Sequence, residues 1–188
     1  DAWGVDFAVG CSYKYLNGGP GAPAWAYVAD RHQSDLRNPI PGWLGAAEPF
    51  SMTDGFTPAP GIRRLVSGTP PVVGMVALAE MLDLIERAGM ASIRAKSVRL
   101  GEFVIDAAER VLAPWSPAML SPRDPQRRGG HVTFGHPGFR AATAALWERG
   151  VIPDFRPPQG LRLGLSPLST SFAEVAEGVL AIRDALQD

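Results

Sequence analysis

Two apolar stripes of helical period, set almost end to end, constrain this chain most. Val72, Val73, Val76, Ala79, Leu82 and Ile85 recur at helical spacing after Pro70-Pro71, where prolines are tolerated at a helix start. Gly89 is a good C-terminal stop. A second stripe, Ser92 to Leu112, carries Ile93, Leu100, Val104, Ala107 and Val111 on one face, with Pro114 beyond its end. Stripes of this kind read as helix surfaces facing a core rather than as cofactor-binding boxes. Whatever flanks these helices must supply the layers that bury them.

The flanks differ. On the N-terminal side, Val5 to Cys11 reads as a short buried strand and Pro23 to Val28 as a second. Residues 33 to 70 are then rich in Pro and Gly, with little periodicity. A loop of that length is functional or disordered more often than it is mere connection. Its aromatics Trp43, Phe50 and Phe56 argue for order, wrapped on a surface or a partner. On the C-terminal side short elements alternate: a strand at His131-Val132-Thr133-Phe134, a helix from Phe139 to Arg149 closed by Gly150, and strands at Val151-Ile152 and Leu161 to Leu165. Ser171-Phe172-Ala173-Glu174 is a capping box, opening a last helix with Phe172, Val175, Val179, Ile182 and Leu186 inward. The reading is an α/β chain divided near residue 90: residues 1–90 belong to one domain, and residues 91–188 form a small α+β domain.

Composition narrows the function classes. The 188 residues are 46% hydrophobic and 20% charged, ordinary for a soluble globular protein, and the formal net charge of −1 favours no nucleic-acid partner. No segment is apolar for the ~20 residues that a membrane helix needs. Asp1-Ala2-Trp3 has no basic targeting pattern. The single Cys11 excludes an internal disulfide and fits a reducing cytoplasm. The chain has no initiator Met and enters almost at once on a buried-looking strand, so it is expected to be a piece of a longer protein.

Chemistry concentrates in Cys11-Ser12-Tyr13-Lys14-Tyr15-Leu16-Asn17-Gly18-Gly19-Pro20-Gly21. Of 18 basic residues only Lys14 and Lys96 are lysine. A lysine held at a strand end in a dense, partly dry setting can lose its proton and act as a nucleophile or Schiff-base former. Judged locally, a catalytic amine and a structural snorkelling lysine carry equal weight. A phosphate-binding P-loop fails, because its Lys must follow the glycines and Lys14 precedes them. His32, His131 and His136 show no helical i, i+4 pairing and Cys11 is alone, so no metal site is expected. The Gly-x-Ser-x-Gly elbow of serine hydrolases is missing. A second cluster is Asp154-Phe155-Arg156-Pro157-Pro158-Gln159-Gly160-Leu161-Arg162. Arg162 alternates with Leu161 and Leu163, so on a strand it points away from them. Its guanidinium suits bidentate carboxylate recognition, or equally a surface ion pair with an acid such as Asp154.

Taken together, these motifs resemble the kynureninases, fold type I enzymes that depend on pyridoxal 5′-phosphate. The resemblance rests on residues 5 to 21 and continues in register through Pro41-Gly42-Trp43-Leu44-Gly45, Pro60-Gly61 and Gly68-Thr69-Pro70-Pro71. It extends through Asp154-x-Arg156-x-Pro158-x-Gly160-Leu161-Arg162, Pro167-Leu168 and Ser171-Phe172. It covers the chain as the C-terminal half of such an enzyme: the end of the large cofactor-binding domain, then the small domain. It implies that Lys14 anchors the cofactor and shuttles the substrate Cα proton, and that Tyr13 hydrogen-bonds the phosphate and assists proton transfer. Trp43 and Thr69 would reach the phosphate of a neighbouring subunit in a homodimer, and Arg162 would grip the substrate α-carboxylate. The implied reaction cleaves the amino acid L-kynurenine, or its 3-hydroxy analogue, to anthranilate (or 3-hydroxyanthranilate) and L-alanine in tryptophan and NAD metabolism. Three positions depart from the family pattern: Ala46 stands for a usual His, Gly10 for a common aromatic, and Ser169-Thr170 for a frequent Tyr-Asn. The ring-stacking and ring-protonating groups of the family lie in its N-terminal half, so these 188 residues alone are expected to be inactive. The competing readings are another fold type I enzyme (a cysteine desulfurase or class V aminotransferase) and a non-catalytic interaction module.

Overall fold

A computed structural model describes residues 3–52 and 54–187. Asp1 and Ala2, read above for targeting, lie outside the described residues. The chain divides into two compact units, one ending at Ile85 and one beginning at Glu86. The divide falls inside the first of the two long helices.

The first unit is built on a hairpin. Strand β1 (Phe7–Cys11) pairs antiparallel with β2 (Ala24–Val28), placing Gly10 opposite Trp25. A Cβ on Gly10 would stand 2.5 Å from the Trp25 ring, so the indole occupies the space a side chain at position 10 would need. A side chain at position 10, where the resembled family commonly has an aromatic, would need this ring to move. The buried strand expected here is exposed within this unit, with Val9 81% accessible. Period-2 apolar residues mark a strand that can be covered without supplying the cover. The short helix α1 (Asp30–Gln33) returns to the start of β1: Asp6 Oδ1 lies 2.5 Å from Arg31 Nη2 and 2.6 Å from His32 Nε2, and the His32 ring stacks on Phe7. Hydrogen bonds from His32 and then Arg31 hold the Asp6 carboxyl below its ordinary pKa.

The long loop is ordered by arginine. Arg64 donates to the carbonyls of Ala59 (3.1 Å), Ser34 (2.6 Å) and Leu36 (3.0 Å), and Arg63 to those of Leu44 (3.2 Å) and Ala46 (2.9 Å). Two 3₁₀ turns, Trp43–Gly45 and Gly61–Leu65, and a bridge between Ala46 and Pro58 complete it. Helix α2 (Val72–Ala88) follows as its periodicity predicts, but none of its residues is buried, and Val73 is 87% accessible. The core assignment of this stripe is therefore corrected within this chain. It meets the hairpin turn at Gly74, where an added Cβ would stand 2.3 Å from the Gly21 carbonyl oxygen.

The second unit has the core. Helix α3 (Met90–Val111) buries Ile93, Leu100, Val104, Ile105 and Ala108. A four-stranded antiparallel sheet, ordered β3-β4-β6-β5, comprises β3 (Ala118–Met119), β4 (His131–Gly135), β5 (Asp154–Arg156) and β6 (Gly160–Gly164). Helix α4 (Phe139–Glu148) and α5 (Phe172–Gln187) complete the unit. Val132, Phe134 and Leu161 join Phe139, Leu146, Val179 and Ile182 in one buried cluster. The strand expected at Val151-Ile152 is absent; pairing begins at Asp154 instead, because Pro153 has no N–H for a ladder. The capping box is formed as read: Glu174 Oε2 accepts the Ser171 N–H at 2.7 Å, and Ser171 Oγ accepts the Glu174 N–H at 3.2 Å.

Candidate functional site

Lys14 lies in a tight turn leaving β1. The Ser12 hydroxyl, fully buried, donates to the Pro23 carbonyl across the hairpin. The Ser12 carbonyl accepts from Gly18 N–H at 3.0 Å, and the Lys14 carbonyl from Asn17 N–H at 2.9 Å. Asn17 takes φ 56°, the left-handed conformation that asparagine tolerates better than most residues. These bonds satisfy the backbone from within, and the side chains point outward. Lys14 is exposed, its Nζ 5.3 Å from the Tyr13 ring centroid, and Tyr13 and Tyr15 are exposed beside it. The dense, partly dry setting expected for this lysine is not supplied by its own unit. The turn presents the amine rather than enclosing it.

Trp43 begins the first 3₁₀ turn and meets Phe50 edge to face, ring centroids 5.7 Å apart. Its neighbour Gly42 presses against the Ser67 backbone so closely that a Cβ there would stand 1.6 Å from the Ser67 carbonyl oxygen. The structure thus joins the Trp43 turn to the segment leading into the exposed Thr69. Among the described residues no hydrogen bond, ion pair or ring contact links this pair to Lys14 and Tyr13. Sequence reasoning missed Ser12, Arg63, Arg64 and the Asp6–Arg31–His32 cluster. A serine between a strand and a glycine turn is a recognisable cap signal, whereas arginine-to-carbonyl bonds leave no spacing pattern.

In the second unit Arg162 occupies the central strand β6, directly between Thr133 of β4 and Asp154 of β5. Leu161 faces the core, so Arg162, Thr133 and Asp154 share the opposite face. Arg162 pairs with Asp154 Oδ2, which also accepts from Arg156 Nε at 2.9 Å. Burial raises the Asp154 carboxyl, but the Arg156 hydrogen bond and the charges of Arg162 and Arg156 outweigh it, leaving the pKa below its ordinary value. His131 is pushed below the usual imidazole pKa by burial, then by Arg162 and Arg156. Among the described residues no group of three or more His, Cys, Asp and Glu side chains is placed to hold a metal, and no helix is long and apolar enough to cross a membrane.

The family model described as the kynureninase C-terminal domain matches residues 93–182. The kynureninase of Deinococcus radiodurans is 40% identical over 185 residues, covering 98% of this chain and 45% of that protein. That of Burkholderia mallei strain SAVP1 is 42% identical over 182 residues, covering 97% of this chain and 44% of that protein. Over nearly its whole length the chain is similar to the kynureninases. It corresponds to the C-terminal portion of a kynureninase and spans about half the length of the curated relatives it matches. Solved structures agree on the fold. A cysteine desulfurase from Thermococcus onnurineus NA1 superposes with TM-score 0.75 at 21% identity, over 97% of this chain and 47% of that one. An alanine–glyoxylate aminotransferase from Nostoc sp. gives 0.71 at 21%, over 99% and 49%. Both likenesses show the fold type I architecture alone, and the kynureninase assignment rests on the sequence matches.

Proposed function

We propose that this chain is the C-terminal portion of a pyridoxal-phosphate-dependent kynureninase, a cytoplasmic hydrolase that cleaves L-kynurenine or its 3-hydroxy analogue to the anthranilate and L-alanine. The observation that carries the reading is Lys14: an exposed amine on an internally bonded turn, flanked by Tyr13 and Tyr15, in a chain 40–42% identical to kynureninases. The donor set fits the cofactor, with an amine for its aldehyde and hydroxyl and indole groups for its phosphate. When bound, pyridoxal phosphate supplies an electron sink for bond cleavage. Lys14 Nζ would hold the group covalently through its aldehyde, and the same amine would carry the proton to and from the substrate Cα. Tyr13 Oη would donate to its phosphate. Trp43 Nε1 and Thr69 Oγ1 would donate to the phosphate of a neighbouring subunit in a homodimer, with the Gly42–Ser67 contact holding their segments together. Arg162 grips the α-carboxylate. Residues 1–90 close the large cofactor-binding domain, and residues 91–188 are the small domain.

The test uses the full-length protein. Added pyridoxal phosphate should give Schiff-base absorbance that Lys14→Ala abolishes, with anthranilate released from L-kynurenine. A protein that stays colourless with added cofactor would overturn the cofactor assignment. A coloured protein inert on both L-kynurenine and its 3-hydroxy analogue would remove the named reaction only.

A further inference from the structure

Arg162 is not alone on its face. Its neighbour across β5 is Asp154, and one oxygen of that carboxylate, Oδ2, accepts from Arg162 and from both Arg156 Nε (2.9 Å) and Arg156 Nη2 (2.7 Å). Two guanidiniums therefore meet one carboxylate. The next titratable group on this face, His131, has its protonation opposed by burial and by the two arginines. The local balance is one excess positive charge, which matches one incoming carboxylate. An arginine offers five N–H donors, and Asp154 engages Arg162 through Nη2, leaving donors to spare. The Arg162 side chain is 35% accessible, so those donors are reachable.

We propose that Asp154 and Arg156 are a positioning pair for Arg162. Asp154 fixes the guanidinium on the strand, and Arg156 neutralises Asp154 so that it does not repel the carboxylate Arg162 receives. The inference rests on the reading of Arg162 as the substrate-carboxylate anchor. A free arginine side chain carries rotamer entropy that must be lost on binding, and a fixed fork has lost it beforehand. An uncompensated carboxylate beside the fork would oppose the incoming anion.

Full-length variants test the pair by the KM and kcat of anthranilate release, and by calorimetric affinity for L-alanine against L-alaninamide, which lacks the carboxylate. Asp154→Asn should raise KM and weaken L-alanine binding about tenfold, leaving kcat, alaninamide affinity and melting temperature nearly unchanged. Arg156→Gln should weaken both about fivefold alone and add nothing in the Asp154→Asn background, the non-additivity expected of groups acting through one partner. The pair is overturned if the two effects multiply, if KM and L-alanine affinity stay put, or if only kcat and melting temperature fall. Arg162→Lys separates the two ideas. If it leaves L-alanine affinity intact, the anchor reading fails and the pair with it. If it weakens binding while Asp154→Asn does not, only the pair fails.

Discussion

At the residue scale, the least replaceable positions in the first unit are glycines against backbone. Gly42 and Gly68 sit in the same loop and look alike in sequence. A Cβ on Gly42 would stand 1.6 Å from the Ser67 carbonyl oxygen, whereas one on Gly68 meets nothing within 4 Å. Backbone cannot swing aside as a side-chain tip can. Gly42→Ala should therefore cost roughly 2 kcal/mol, as overpacking does, and Gly68→Ala should change little. Denaturant melts of the two full-length variants check the contrast, and equal stabilities would contradict the packing described. Sequence could nominate Lys14 and Arg162, because their residue types and neighbours are themselves chemical signals. It could not rank these two glycines, since the difference is made by a segment twenty-five residues away.

Elements were legible where a local rule closes on itself. The start of α5 is such a place: Ser171 and Glu174 satisfy each other's N–H groups within four residues, so pattern and structure coincide. Ser171→Ala should destabilise the second unit by about 1 kcal/mol. Hydrogen bonds from Ser171 hold the Glu174 carboxyl below its ordinary value of 4.5, so its folded-state pKa is depressed. The contribution is present above that ordinary value and is lost as pH falls through the folded pKa. The stability gap between the wild type and Glu174→Gln, followed by thermal melts, should thus narrow on acidification; a gap constant with pH would contradict the capping role of the carboxylate. Elements held by distant partners were not legible. β5 and β3 are too short to show a period, and the loop of residues 33 to 70 owes its order to Arg63 and Arg64 reaching carbonyls far along the chain. The α2 stripe shows the limit of periodicity: it identified the helix and its apolar side, but not whether this chain would cover that side.

For the whole molecule, the two units differ in how they are held. The second has a contiguous buried cluster contributed by α3, α4, α5 and the sheet. The first relies on hydrogen bonds around a two-stranded hairpin, and two strands alone are marginal in water. Expressed as these 188 residues, the chain should lose the first unit to limited proteolysis while a fragment beginning near Glu86 survives, as mass spectrometry of the digest would show. Survival of the loop of residues 33 to 70 alongside it would contradict this order of stability.

The guanidinium staples carry one more consequence. Because the first unit is tied by arginines, its scaffold contains no ε-amine besides Lys14, and the second unit contributes only Lys96. Reagents that acylate or reductively alkylate amines can therefore be used on this protein without cutting its ties. Each addition at Lys14 reports whether that nitrogen is open, covered or already covalently occupied, so a peptide map becomes an occupancy gauge for a single atom.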